Sequence, residues 1–493
     1  MAENRPLSWI AALVGGLLAG LALPPLGWPL LLWLALIPLW ALGPRSAALW
    51  GAAAVLISHR WLLWLHPLDW VGVPLPLSLP LCFALLLCIA MLGGLLVGAW
   101  RWIVQRLGAE QPGTALLAAA LWGLAEVLLA KGPLFWIGLG SAALPGDRAL
   151  AGLAQLVGAG GLAALQLLLG WGLWRVMSVW RARRGAAWRL ALIWLVVVLV
   201  LHGLGGQRLA AAERLAPPDA SQDAPPRRSV LVLQPAIPTR RKFDADQQIR
   251  LMQLLEGALA KAQRLGSDVL LLPEGALPLG QSLPAPAPVE LLTGGFRLAN
   301  DQLRSALLAF PPGSVDPAAS LDKHRLVPLG EWIPGAGLIR WAGLSAVGGL
   351  TPGSPSRLLR RPEGPLGVAI CYELADGRAL AAAARGGAQW LLASANLDPY
   401  PAQLQRQFSA LAQLRAIETA RWLVSSANTG PSQVVDASGS IRRSLSPGRA
   451  ATLDASLQPR RDLTPYALWG ETPLLLLAGA GIVVSWRSRV RQS

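Results

Sequence analysis

Residues 268–274, DVLLLPE, decide how the fold is read. Four consecutive apolar residues, Val269 to Leu272, close on Pro273 and an acid, which suits a short strand buried on both faces. Upstream, residues 229–234 (SVLVLQ) have the same character. Between the two, residues 246–265 place Ile249, Met252, Leu255 and Leu259 at helical spacing. Strand, helix and strand make a βαβ unit that ends at Glu274. The arrangement recurs further on. Residues 366–370 read as a strand ending at Cys371, and an alanine-rich helical run follows. Residues 389–396 (QWLLASAN) are a strand, 404–421 an amphipathic helix and 422–428 (WLVSSAN) another strand. Alternation of this kind predicts an α/β domain, and QVVDASGSIRRSL at 433–445 predicts a hairpin near its end.

The rest of the chain has a different composition. Of 493 residues, 54% are hydrophobic and 14% charged, against about 25% charged in soluble proteins. Residues 8 to 205 are almost entirely Leu, Ala, Val, Gly and Trp. A bilayer needs roughly 20 apolar residues per span, and spans are expected at 8–23, 26–42, 47–65, 80–100, 114–130, 150–177, 188–205 and 472–486. No clear cleavage site follows the first, so it is expected to be a retained helix. The division is a membrane domain over 1–209, a linker over 210–228 containing APPDASQDAPPRR, a soluble domain over 229–465, and a last span with a basic tail over 466–493.

The net charge of +16 does not point to nucleic acid, because the arginines cluster beside apolar spans. Arg45, then Arg101 and Arg106, then Arg175, Arg181, Arg183, Arg184 and Arg189, and finally Arg487, Arg489 and Arg491 follow the even-numbered spans. Positive charge marks the cytoplasmic side, so both termini are expected there and the soluble domain outside the cytoplasm. Trp61, Trp64 and Trp70 suit a membrane interface. Glu126, inside the fifth span, is expected to face the bundle interior and pack with a polar partner.

Ligand sites in α/β sheets lie at the carboxyl ends of strands, where both Glu274 and Cys371 fall. Between them, DKHRLVPLGEWIP at 322–334 supplies Lys323, one of four lysines in a chain that prefers arginine. Glu, Lys and Cys form a workable acyl-transfer set. A carboxylate accepts the thiol proton, and an ammonium stabilises first the thiolate and then the oxyanion of a tetrahedral intermediate. Taken singly, each has a plainer reading: a buried small hydrophobe, a turn residue, a solvated loop charge. His324 offers a Cys–His pair instead. The SAN strand ends at 394–396 and 426–428 read as structural turns. Cys82 and Cys88 stand six apart in one span, a spacing that fits no metal site or disulfide framework, and no cofactor or metal is expected.

PEGALP around Glu274, DKHRLVPLGEWIP around Lys323 and GVAICYE around Cys371 resemble, in order, the three signature segments of the nitrilase, or carbon-nitrogen hydrolase, superfamily. With seven spans before and one after, the whole chain resembles the apolipoprotein N-acyltransferase family. The resemblance implies a multi-span helical membrane bundle joined to a nitrilase-like αββα sandwich on the periplasmic side of the inner membrane. It implies Glu274 as general base, Lys323 as oxyanion stabiliser and Cys371 as nucleophile, with Glu331, Tyr372, Glu373 and Phe243 in support. The reaction implied takes an acyl chain from a phospholipid onto the cysteine and passes it to the α-amino group of a diacylglyceryl apolipoprotein, in a monomer without a cofactor. Departures from the family pattern occur at Pro235 and Ala236, at Phe243 where a tryptophan is usual, and at 397–400 (LDPY). A membrane-tethered amidase and an inactive transporter or assembly protein are the competing readings.

Overall fold

The computed structural model describes residues 5–69, 73–180, 182–214, 226–242, 244–280, 282–328, 330–332, 349–398 and 400–490. Phe243, Trp70, Arg181, Pro399, Arg491, most of the linker and much of the 334–355 segment lie outside the described residues.

Every expected span is helical. The N-terminal part comprises α1 (Arg5–Ala22), α2 (Pro29–Ala41), α3 (Pro44–Ser58), α4 (Leu75–Leu107), α5 (Pro112–Leu129), the short α6 (Arg148–Ala151), α7 (Ala154–Trp180) and α8 (Arg184–Arg214). Four of these, α4, α5, α7 and α8, are long and apolar enough to cross a membrane. α1 and α2 are apolar but shorter. The third expected span is a helix followed by a 3-10 turn, Arg60–Leu65, and α8 continues past residue 209 to Arg214. α7 breaks at Gly158, where φ is +65°. A side chain there would run into the Tyr466 ring, so the close approach and the left-handed backbone both call for glycine.

The soluble part follows with β1 (Arg228–Gln234), α9 (Ala245–Leu265), β2 (Val269–Leu271), β3 (Glu290–Ala299), β4 (Gln302–Phe310), β5 (Ala319–Asp322), β6 (Leu358–Leu359) and β7 (Leu366–Ile370). After these come α10 (Gly377–Arg385), β8 (Leu391–Ala395), α11 (Ala402–Thr419), β9 (Leu423–Ala427), β10 (Gln433–Val435), β11 (Ile441–Ser444), β12 (Ala451–Leu457), α12 (Pro465–Trp469) and α13 (Thr472–Val490). Two sheets of six strands each result among the described residues, in the orders β12-β1-β2-β3-β4-β5 and β11-β10-β9-β8-β7-β6. All three predicted strand–helix–strand crossovers are present, since β1 and β2 are parallel, as are β7, β8 and β9, and β3 also runs parallel to β2. The expected hairpin is β10–β11, with an irregularity at Val434 and Val435.

The sequence pattern explains the layers. β2, β7 and β8 are buried along their whole length, as continuous apolar runs require. α9 packs one face through Leu251, Leu255, Ala258 and Ala262 and leaves Ile249 60% exposed. α11 differs: it is buried from Ala410 to Thr419 without a break. It lies between the second sheet and the membrane helices, and Gln407 donates to the carbonyls of Pro24 and Ser58 from that position. The tryptophan expectation divides here. Trp64 is 59% exposed, whereas Trp61 is 3% exposed, its ring set edge-on to those of Phe135 and Tyr400 where the two parts meet.

Candidate active site

β7 delivers Cys371 and then stops abruptly. The residue has φ +56°, a region costly for a side chain that bears a Cβ, and a 3-10 turn, Cys371–Ala375, begins there. Strand, strained turn and helix hold the Cys371 side chain in the same general way as a nucleophile elbow holds its residue. The first sheet supplies the partners. Glu274 follows β2, with its backbone so close to β3 that any side chain at Gly294 would collide with it. Lys323 follows β5, where its N–H donates to the Ser305 carbonyl at 2.8 Å.

The side chains converge. Lys323 Nζ donates to Glu274 Oε1 at 2.6 Å and to Glu331 Oε1 at 2.8 Å, and the lysine side chain is 1% exposed. Glu274 Oε2 accepts from the Asn396 backbone N–H at 3.0 Å. Glu331 Oε2 accepts from Val327 N–H at 2.9 Å. Burial alone would push the Lys323 ammonium down, but the charges of Glu274 and Glu331 outweigh it and hold the group well above the ordinary lysine value. Burial pushes the Cys371 thiol well up, Glu274 adds to that, and Lys323 opposes it. The resting thiol is therefore protonated and needs a base, and a fixed cation is already in place to receive negative charge.

Glu373 organises the surroundings. Its carboxylate accepts from His324 N–H at 2.6 Å, Ile370 N–H at 2.8 Å and Arg357 at 2.8 Å, and the Arg357 and Glu373 side chains are each 2% exposed. One group thus ties the lysine loop to the strand that carries the cysteine. Arg325, two residues after Lys323, reaches the membrane part: it donates to the carbonyls of Ala130 at 2.5 Å and Leu134 at 3.3 Å, and to that of Gly132. The Tyr372 hydroxyl pairs with that of Tyr400 at 3.1 Å. Tyr400 belongs to the departing LDPY segment, so the departure contributes an aromatic partner to the site.

Glu274, Lys323, Glu331, Tyr372 and Glu373 are thus brought together around Cys371, while Phe243 lies outside the described residues. His324 turns elsewhere, its Nδ1 lying 2.8 Å from the Gly353 carbonyl. The SAN ends are more than turns. Asn396 orients Glu274 through its N–H, and Asn428 Nδ2 donates to Asn396 Oδ1 at 2.9 Å. Sequence reasoning also missed Lys242. Burial pushes its ammonium down to about 8 against the pull of Glu274 and Glu331, and its Nζ lies 5.8 Å from the Phe296 ring centre. The only hint was a lysine ending the run TRRK. Among the described residues no cluster of metal ligands occurs.

Residues 15–172 match the model of the apolipoprotein N-acyltransferase N-terminal domain, and residues 232–465 match that of the carbon-nitrogen hydrolases. The apolipoprotein N-acyltransferase of Prochlorococcus marinus strain MIT 9313 is 50% identical over 100% of this chain and 98% of its own. The chain belongs to the apolipoprotein N-acyltransferase family. A second member of the family, from Parasynechococcus marenigrum, is 49% identical over 95% of this chain and 98% of its own. Among solved structures, a yeast member of branch 10 of the nitrilase superfamily is 17% identical, covering 52% of this chain and 98% of its own, with a TM-score of 0.37. Family membership and the apolar helices identify a membrane protein with a two-sheet, nitrilase-like domain.

Proposed function

We propose that the chain is an apolipoprotein N-acyltransferase working through a Cys371 thioester. Glu274 takes the proton of the Cys371 thiol as sulfur attacks the ester carbonyl of a phospholipid, and Lys323 neutralises the oxyanion. The lysophospholipid leaves with the proton returned by Glu274. The α-amino group of a diacylglyceryl-cysteine then attacks the thioester, Glu274 removes an ammonium proton, and Cys371 departs to recover its thiol as the amide forms. Glu331 holds Lys323 in place, Glu373 joins the lysine loop to β7, and Tyr372 lines the approach, with Phe243 assigned to acyl contact.

The observation that carries this reading is the Lys323 ammonium, bonded to Glu274 at 2.6 Å within a buried site that also feels the Cys371 sulfur. Names of relatives supply the acceptor. The arginine-rich loops favour an inner-membrane protein with residues 229–465 on the periplasmic side. Two bilayer-held substrates favour a catalytic domain seated on a membrane domain, because withdrawing a chain costs about 0.8 kcal/mol per CH₂. A complete triad within one chain favours a monomer.

Intact-protein mass spectrometry after incubation with phospholipid tests it. A fatty-acyl adduct is expected, absent from Cys371→Ala, that discharges as an amide onto an added diacylated lipopeptide. No adduct on folded protein overturns the acyl-enzyme. Discharge to free fatty acid alone identifies a tethered hydrolase.

A further inference from the structure

The membrane helices enclose a pocket that the reaction above does not use. Its walls come from α1, α3, α4, α5 and the 136–139 segment, and it holds about 800 Å³ of empty space with its open mouth included. Most of the lining is apolar, including Val55, Val97, Trp100 and Trp122. The mouth opens between α4 and α5, on exposed apolar surface. Leu96 and Leu121, both lining residues, are 44% and 37% exposed, and Ala125 beside them is also exposed. Lower down the two helices are joined, where Trp100 Nε1 donates to the Ala118 carbonyl at 2.9 Å.

Polar groups occur mainly at the end nearest the catalytic domain, where Ser58, His59, Glu126 and Trp136 line the wall. Glu126 Oε1 is occupied by Trp122 Nε1 and Leu139 N–H, each at 2.8 Å. The Trp136 indole N–H is different: it is buried and makes no hydrogen bond among the described residues. Buried donors are normally satisfied, and an indole can only donate. From Trp50 to His59 the wall runs nine helical residues, about 14 Å at 1.5 Å per residue. Water needs two to four polar partners per molecule, which the lower pocket does not offer.

We infer that this pocket takes one acyl chain of a bilayer lipid, inserted sideways between α4 and α5, with its ester carbonyl accepting from the Trp136 indole N–H. The polarity runs the right way for the leaflet next to the catalytic domain, with the ester at the Trp136 end and hydrocarbon towards Trp100. The site is separate from Cys371. Phe135, adjacent to Trp136, packs its ring 5.2 Å from that of Tyr372 and stacks 4.7 Å from Phe408, so aromatic rings stand between pocket and nucleophile.

The test uses the full chain in phosphatidylethanolamine vesicles containing a phosphatidylethanolamine with a photoreactive diazirine midway along one chain. Illumination and peptide mapping are expected to place cross-links on the lining residues Val97, Trp100 and Trp122. Ala125→Trp and Leu121→Trp, which crowd the mouth from exposed positions, are expected to remove those cross-links and leave those at outward-facing Met91 and Leu95. Trp136→Phe keeps an aromatic ring and deletes the donor, and is expected to lower lining cross-links about five-fold, as losing one hydrogen bond does. Wild-type labelling confined to outward positions overturns the inference, as does lining labelling that ignores both mouth variants. Unchanged labelling in Trp136→Phe overturns the ester contact. Cys371→Ala is expected to label like the wild type, so failure of the acyl-enzyme and failure of this site are read separately.

Discussion

Two buried charge clusters lie side by side in this molecule and differ in completeness. Around Glu373, one carboxylate meets an arginine and several backbone N–H groups, all at short distance. Around Lys323, one ammonium is shared by two carboxylates, with a protonated thiol within reach of their charges. In the first cluster both oxygens of the Glu373 carboxylate are engaged, and the cluster serves as structure. The second holds a carboxylate able to take a proton and a cation able to receive charge, which is the condition for chemistry. Buried ion pairs add little net stability but are costly to break, so the two clusters are expected to fail in different ways.

The largest effect is expected at the reactive cluster. Lys323→Met and Glu274→Gln should each lower acyl-enzyme formation by about 10²–10³-fold or more, the range for losing a proton-transfer or oxyanion group. Pre-steady-state appearance of the adduct measures it. A variant of either residue that forms adduct at the wild-type rate would break the distinction between the clusters. Next comes the structural cluster. Arg357→Met strands the Glu373 carboxylate and is expected to cost about 3–5 kcal/mol, read as lower thermal stability in detergent. Activity lost there without lost stability would move Glu373 into the chemistry.

The smallest effect concerns Lys242. Its folded value of about 8 lies below the ordinary lysine value of 10.5. Between those pH values the unfolded chain holds a proton that the folded chain has released, so this residue makes stability rise with pH across that window. Below about 8 both states hold the proton and the slope vanishes. Lys242→Met is expected to remove the rise, seen as a flatter plot of melting temperature against pH from 8 to 10. An unchanged slope would show that Lys242 is not held down by burial.

Legibility in the sequence followed the range of the interactions. β2 and β7 were readable because an apolar run bounded by Pro or Cys is a local signal, and their ends located Glu274 and Cys371. Lys323 was found as a lysine in an arginine-rich chain. Asn396 was read as a turn because its role depends on Glu274, 122 positions away, and nothing local reports that contact. Arg357 went unnoticed for the same reason: its partner lies on the far side of β7. Trp61 was assigned to the lipid interface because composition cannot tell a ring facing lipid from one covered by a second domain. The strain at Cys371 had no sequence sign at all, since a non-glycine residue with φ +56° is imposed by the strands around it.

Arg325 gives the fold a mechanical property. By gripping carbonyls just beyond α5, it moors the loop that carries Lys323 to the end of a membrane helix. The lysine is thus aligned from below as well as from within its own sandwich. Residues 229–465 cut away from the helices would keep Glu274, Lys323 and Cys371 and lose that mooring. The excised domain is therefore expected to form the adduct more slowly even with a short-chain, water-soluble ester that needs no bilayer. Equal rates for excised and full-length protein would show that the lysine loop holds its alignment unaided.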